Sequence, residues 1–137
     1  MNIAELARIH NVSFSYAPRP WSEAELDSIL NLTNVRLFQE DGGFAIFRFV
    51  GPEAELLTIA VDPRCRRQGT ANKILLNGHE AAKKFGVEEV FLEVSEENLA
   101  AKALYEQFGY EFRALRKNYY FGPNGQKVNG LVMRCIL

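Results

Sequence analysis

The stretch Ile59-Ala60-Val61-Asp62-Pro63-Arg64-Cys65-Arg66-Arg67-Gln68-Gly69-Thr70-Ala71 passes from an apolar strand through an arginine-rich loop into a helix. Pro63 ends the strand pattern and Gly69 opens the helical one. The first turn of a helix leaves N–H groups without partners and carries about half a positive charge, so an anion placed there gains hydrogen bonds and field together. Gly69 lets the backbone approach a ligand closely, and Arg64, Arg66 and Arg67 add mobile positive charge, which suits a diphosphate. A plain strand-to-helix connection accounts for the same residues taken alone, so the flanking segments decide.

Downstream, apolar residues recur at Ala71, Ile74, Leu75, Gly78, Ala81, Ala82 and Phe85. They predict an amphipathic helix over 69–85, closed by Gly86 as its C-terminal cap. Residues 90–94 form a compact strand. Ala101, Leu104, Tyr105 and Phe108 then predict a helix over 98–108, ended by Gly109. Strands over 112–120 and 128–136 flank the turn-forming Gly122-Pro123-Asn124-Gly125.

Upstream, a strand over 56–61 follows Gly51-Pro52, and strands over 35–39 and 44–50 flank Asp41-Gly42-Gly43 as an antiparallel hairpin. Ile3, Leu6, Ala7 and Ile9 predict a short helix over 3–10. Pro18 and Pro20 bar helix after it, and Ser22 with Glu25 makes a capping box for a helix running to Leu30. The order is helix, helix, three strands, helix, strand, helix, two strands, which is an α/β sheet with helices on both faces. The strands over 56–61 and 90–94, joined by a helix, should be parallel, with their C-terminal ends toward the arginine loop.

With 137 residues, the chain reads as one domain over 1–137 with a single core. A net charge of −1 gives no general attraction to nucleic acid or anionic membranes, so the arginine cluster is a local feature. Cys65 and Cys135 lack metal-site spacing and suit a reduced compartment. No secretory or membrane-spanning run is present, so the expected location is the cytoplasm. His10 and His79 fall on separate helices without ligand partners, which favours surface or packing roles over metal binding.

The segment Arg66-Arg67-Gln68-Gly69-Thr70-Ala71 resembles the Q/R-x-x-G-x-G/A pyrophosphate loop of the GNAT superfamily of acyl-CoA-dependent N-acyltransferases. Further blocks resemble its RimI type: Trp21-Ser22-Glu23, Ile59-Ala60-Val61-Asp62-Pro63, Leu92-Glu93-Val94, Asn98, Ala100-Ala101, Ala103-Leu104-Tyr105-Glu106, Phe108-Gly109-Tyr110 and Arg116-Lys117-Asn118-Tyr119-Tyr120. Enzymes of that type acetylate the N-terminal alanine of a small-subunit ribosomal protein. The resemblance implies the GNAT fold, a mixed and mostly antiparallel sheet with a central splayed parallel strand pair. It implies acetyl-CoA as cosubstrate, no metal, and a ribosomal-protein N-terminal peptide as partner. The backbone of Ile59, Ala60 and Val61 would pair with the pantetheine arm, and an N–H near Val61 would polarise the thioester carbonyl. Arg66, Arg67, Gln68, Gly69, Thr70, Ala71 and Asn72 would hold the diphosphate. Asn98 would contact the cofactor, Glu93 would be the general base and Tyr105 the general acid. The start of the chain is shorter than in the RimI type, which leaves the acceptor groove less determined than the cofactor side.

The chemistry explains these residue types. An α-amine with a reference pKa of about 7.7–8.0 must lose a proton before it attacks, and a thiolate leaving group must gain one. Neither step needs a covalent enzyme intermediate, so the lack of a Ser/His/Asp or Cys/His set is consistent. Simpler readings stay open beside these. Glu93 fits the solvent-facing member of an alternating strand, Tyr105 a core aromatic and Asn98 an N-cap. Glu96 and Glu97 read as a solvated loop or an attractor of basic peptide. Two other functions also stay open: a GNAT enzyme acting on lysine side chains or small amines, and a catalytically silent CoA-binding docking module.

Overall fold

The computed structural model describes residues 1–14, 19–122 and 124–137. Two helices, α1 (Ile3–Ser13) and α2 (Glu23–Leu30), precede three strands, β1 (Val35–Glu40), β2 (Gly43–Val50) and β3 (Glu53–Val61). A single 3-10 turn (Pro63–Cys65) leads into α3 (Thr70–Phe85), then β4 (Glu89–Ser95), α4 (Leu99–Gln107), β5 (Glu111–Phe121) and β6 (Lys127–Ile136). The order matches the one expected from the sequence. One boundary differs: α1 continues past His10 to Ser13, because Asn11 and Val12 are exposed and Ser13 is polar, so apolar periodicity gives no signal for the last turn. Pro18 and Pro123, assigned above to a loop and a turn, lie outside the described residues.

The six strands form one sheet in the order β1-β2-β3-β4-β6-β5. Only β3 and β4 run parallel; every other neighbouring pair is antiparallel. Residues 43–47 of β2 are buried on both faces, so Phe44 to Phe47 form a continuous apolar run, broken by the exposed Arg48. Phe44 and Ile46 pack with Leu6, Ile9 and Leu26 of α1 and α2. Ala45, Phe47 and Phe49 pack on the opposite face with Ile74, Leu75 and Ala82 of α3 and Tyr105 of α4. Burying each of the Leu, Ile and Phe side chains among these stabilises the fold by about 1.5–3 kcal/mol. Contact is closest at Gly78 of α3, where an added Cβ would fall 2.5 Å from the Phe47 ring.

The feature that positions the site is an irregularity in β3. Ile46 pairs with Thr58 but Phe47 pairs with Leu56, so Leu57 is an extra residue in the ladder. Leu56 packs on the α3 face, Leu57 on the α1 face, and Thr58 meets His10 of α1. Two successive side chains thus share one face, and the strand bends as at a β-bulge. The parallel pairing of β3 with β4 ends at the same point, with Leu56 opposite Leu92. Beyond it the two strands part.

Candidate active site

The edges that face each other across the splay can be read from register. Asp62 N–H donates to the Gly42 carbonyl at 2.7 Å, which turns the backbone groups of Ala60 toward Phe44 of β2 and those of Ile59 and Val61 away from it. Glu96 N–H likewise donates to Asn129 at 3.0 Å, which turns the backbone groups of Glu93 and Ser95 away from β6. Ile59 and Val61 therefore confront Glu93 and Ser95 across the opening. Of the three residues expected to pair with an extended ligand, Ala60 has its backbone groups committed to β2. The Val61 carbonyl accepts from Ser13 Oγ and Arg66 Nε, both at 3.2 Å.

The splay opens into a cleft of about 440 Å³. Ile59, Ala60, Val61, Arg66, Arg67, Gly69, Thr70, Ala71, Asn72, Glu93, Asn98 and Tyr105 all line it; Gln68, expected among them, does not. At its end lies the N-terminus of α3, whose capping residue Gly69 sits at φ 77° and supplies no side-chain hydrogen bond. The other three helices are capped by side chains: Asn2 on α1, Ser22 on α2 and Asn98 on α4. Ser22 and Glu25 form the reciprocal capping box read from the sequence. Arg67, just before Gly69, has φ 61°, an uncommon conformation for a side-chain-bearing residue and one that clusters at functional loops.

Arg64 departs from expectation. Its guanidinium is not a mobile charge at the loop but is fixed 2.8 Å from the buried carboxylate of Asp62, which also takes Arg8 of α1 at 2.9 Å. These hydrogen bonds, Arg64 first, hold the Asp62 carboxyl well below the usual carboxylate range. Asp62 anchors the loop, leaving Arg66 and Arg67 as the arginines on the cleft.

Glu93 and Tyr105 reach the cleft from opposite faces of the sheet. Val90, Leu92 and Val94 point into the core beneath α3 and α4, so Glu93 points to the other face, where α1 and α2 cover only β1 to β3. There it meets Arg116 of β5, whose Nη1 lies 3.0 Å and 3.2 Å from its two oxygens. Glu93 is therefore a paired carboxylate rather than a freely solvated one. Tyr105 belongs to the α3 and α4 core, with its ring edge-on to Tyr110 at 5.8 Å. Burial pushes its phenol above the ordinary value, and nearby Tyr120 adds to the shift. Tyr120 is itself pushed up to about 12, by burial first and then by Glu93. Arg116 and Tyr120 are site neighbours that sequence reading noted within a motif but gave no task.

The remaining candidates have local partners. Asn98 Oδ1 accepts from Ala101 N–H at 3.1 Å, which makes it an N-cap and leaves its amide nitrogen for another acceptor. Glu96 accepts two hydrogen bonds from Asn129. His10 is buried between Trp21 N–H and Thr58 Oγ1, each at 3.0 Å, and His79 is buried against the Tyr110 hydroxyl at 2.7 Å. Both are packing residues, pulled down to about 4 by burial. Both cysteines are free.

A cleft between parting parallel strands, with a free backbone edge and an open helix N-terminus, fits a ligand made of an extended amide arm and an anionic tail. That architecture defines an acyl-CoA-dependent N-acyltransferase, and residues 5–110 match the model of the Acetyltransferase (GNAT) family. The chain belongs to that family and is an acetyl-CoA-dependent acetyltransferase. It is similar to the ribosomal protein bS18-alanine N-acetyltransferase of Escherichia coli strain K12, 38% identical over 112 residues, covering 79% of this chain and 76% of that protein. It is also similar to the enzyme of the same name from Haemophilus ducreyi, 33% identical over 122 residues, covering 86% and 84%. The crystal structure of the Escherichia coli ribosomal-protein-S18-alanine N-acetyltransferase superposes with a TM-score of 0.88 at 31% identity, covering 98% of this chain and 86% of that one. Among the described residues, no helix is long and apolar enough to cross a membrane.

Proposed function

We propose that the chain is a single cytoplasmic acetyltransferase domain that transfers acetyl to the N-terminal α-amine of ribosomal protein bS18, at alanine. The observation that carries this reading is the convergence, on one cleft ending at an uncapped helix N-terminus, of a carboxylate and a buried phenol from opposite faces of the sheet. The relatives' activity on bS18 alanine supports the choice of acceptor.

Acetyl-CoA supplies the acetyl thioester; the chain's own residues do the rest. The N–H groups of Thr70, Ala71 and Asn72 hold the diphosphate, Arg66 and Arg67 add charge, and Asn98 offers its amide nitrogen. Ile59 and Val61 extend β3 by one ligand strand, and Val61 N–H donates to the thioester oxygen as negative charge grows there. Ser13 and Arg66 hold the Val61 carbonyl and so fix the direction of that peptide. Glu93 accepts the proton leaving the attacking amine. Tyr105, kept protonated by its burial, gives one to the departing sulfur.

Incubation with acetyl-CoA and a peptide carrying the bS18 N-terminus should release thiol and add one acetyl group at the first residue, read by mass spectrometry. No thiol release, or acetyl found only on a lysine side chain, would contradict the assignment. The pair E93Q and Y105F together should lower kcat by at least about 100-fold with acetyl-CoA affinity unchanged. Full turnover in that double variant would remove both residues from the mechanism.

A further inference from the structure

The guanidinium beside Glu93 is built into the fold with more support than an exposed ion pair needs. Arg116 and Glu93 are 23 residues apart and lie on strands that are not neighbours. Strand β6 runs between them, with Val132 opposite Glu93 and Gly130 opposite Arg116. The Arg116 side chain crosses that strand to put one nitrogen against both carboxylate oxygens.

It is also held from behind. The guanidinium carbon stacks 3.8 Å from the centre of the Tyr119 ring. Tyr119 lies over Gly130, where an added Cβ would come within 3.3 Å of its ring. The register of β5 on β6 slips between Arg116 and Tyr120. Asn118, inside the slip, takes φ 55° and donates its N–H to Asn129 Oδ1 at 2.8 Å. Asn129 in turn donates to Glu96. A bulge, a left-handed residue, an aromatic stack and a glycine thus converge on one side chain that is itself half exposed, while the Glu93 side chain it grips is 22% exposed. An exposed ion pair adds little stability, so stability is a poor reason for this construction.

We propose that Arg116 is a positioning residue of acetyl transfer: anchored on Tyr119, it holds the Glu93 carboxylate in the one orientation that meets the acceptor amine at the splay. The inference rests on the role of Glu93 as base. Arg116 acts only through that carboxylate; a glutamate released from it samples several rotamers, and the misplaced ones are idle.

Steady-state kinetics of the full chain with acetyl-CoA and the alanine-first peptide test this in wild type, E93Q, R116M, R116K and E93Q/R116M. R116M should lower kcat by about 10- to 100-fold with KM for acetyl-CoA unchanged, and R116K, which keeps the charge without the planar stack, should lose less. In the E93Q background R116M should cost nothing further. Wild-type kcat in R116M, or a full additional loss on top of E93Q, would overturn the inference and leave the role of Glu93 standing. Wild-type turnover in E93Q would overturn the base reading and this inference with it. Should R116M not fold, R116K carries the test: a kcat loss that vanishes in the E93Q background supports the inference, and wild-type kcat overturns it.

Discussion

The N-termini of α3 and α4 open on the same cleft and are finished in opposite ways. Asn98 satisfies the first turn of α4 with its own side chain, whereas Gly69 leaves the first turn of α3 without one. The first is a helix end closed by its own side chain; the second is left open, with a left-handed residue on each side of Gln68, as the proposed diphosphate site requires. What decides between a structural and a binding terminus is thus the fate of three N–H groups.

Making the α3 end resemble the α4 end should have the largest effect. An added Cβ at Gly69 meets nothing within 4 Å, and aspartate tolerates the left-handed conformation better than most residues. G69D therefore places a carboxylate at the proposed diphosphate site, and should weaken acetyl-CoA about 100-fold in a calorimetric titration without unfolding the chain. Gly78, on the same helix, provides the contrast. Its missing Cβ makes room for Phe47, so G78A should lower stability by about 1–3 kcal/mol in urea unfolding while folded molecules keep their acetyl-CoA affinity.

Undoing the α4 cap is a smaller perturbation that separates its two roles. N98A should cost about 1 kcal/mol of stability. N98D keeps the cap and should keep the stability, yet it loses the amide donor and should weaken acetyl-CoA several-fold. Wild-type acetyl-CoA affinity in both variants, with stability lost only in N98A, would show that Asn98 is a cap and nothing more.

A still gentler probe is acid. His10 on the α1 side and His79 on the α3 side are both held neutral, their values pulled from 6.5 to about 4 by burial. The unfolded chain binds protons on them below about 6.5 while the folded chain does not, so their contribution to stability should fall as pH drops from 6.5 towards 4, below which the loss passes to carboxylates such as Asp62. Urea midpoints across that range should follow this course, with a shallower slope in H10Q.

The cofactor side of the cleft was far more legible in the sequence than the acceptor side. Pro63, Gly69 and Gly86 punctuate the chain locally, and the capping box at Ser22 and the apolar stripe of α3 follow from residue spacing alone. The bulge at Leu57 carried no such mark, since neither glycine nor proline accompanies it and Leu57 beside Thr58 reads as ordinary strand. The ion pair of Glu93 with Arg116 depends on the register of two strand pairings and could not be read from either residue. Arg64 shows the reverse failure. Its place in a basic loop suggested a ligand, while its neighbour Asp62, two residues back, had already claimed it.

Everything proposed for the cleft depends on the open end of α3 binding the diphosphate. It is tested most directly by titrating the unaltered chain with acetyl-CoA and with S-acetylpantetheine, which keeps the arm and the thioester but has no diphosphate. The truncated ligand should bind at least about 100-fold more weakly. Equal affinities would contradict it.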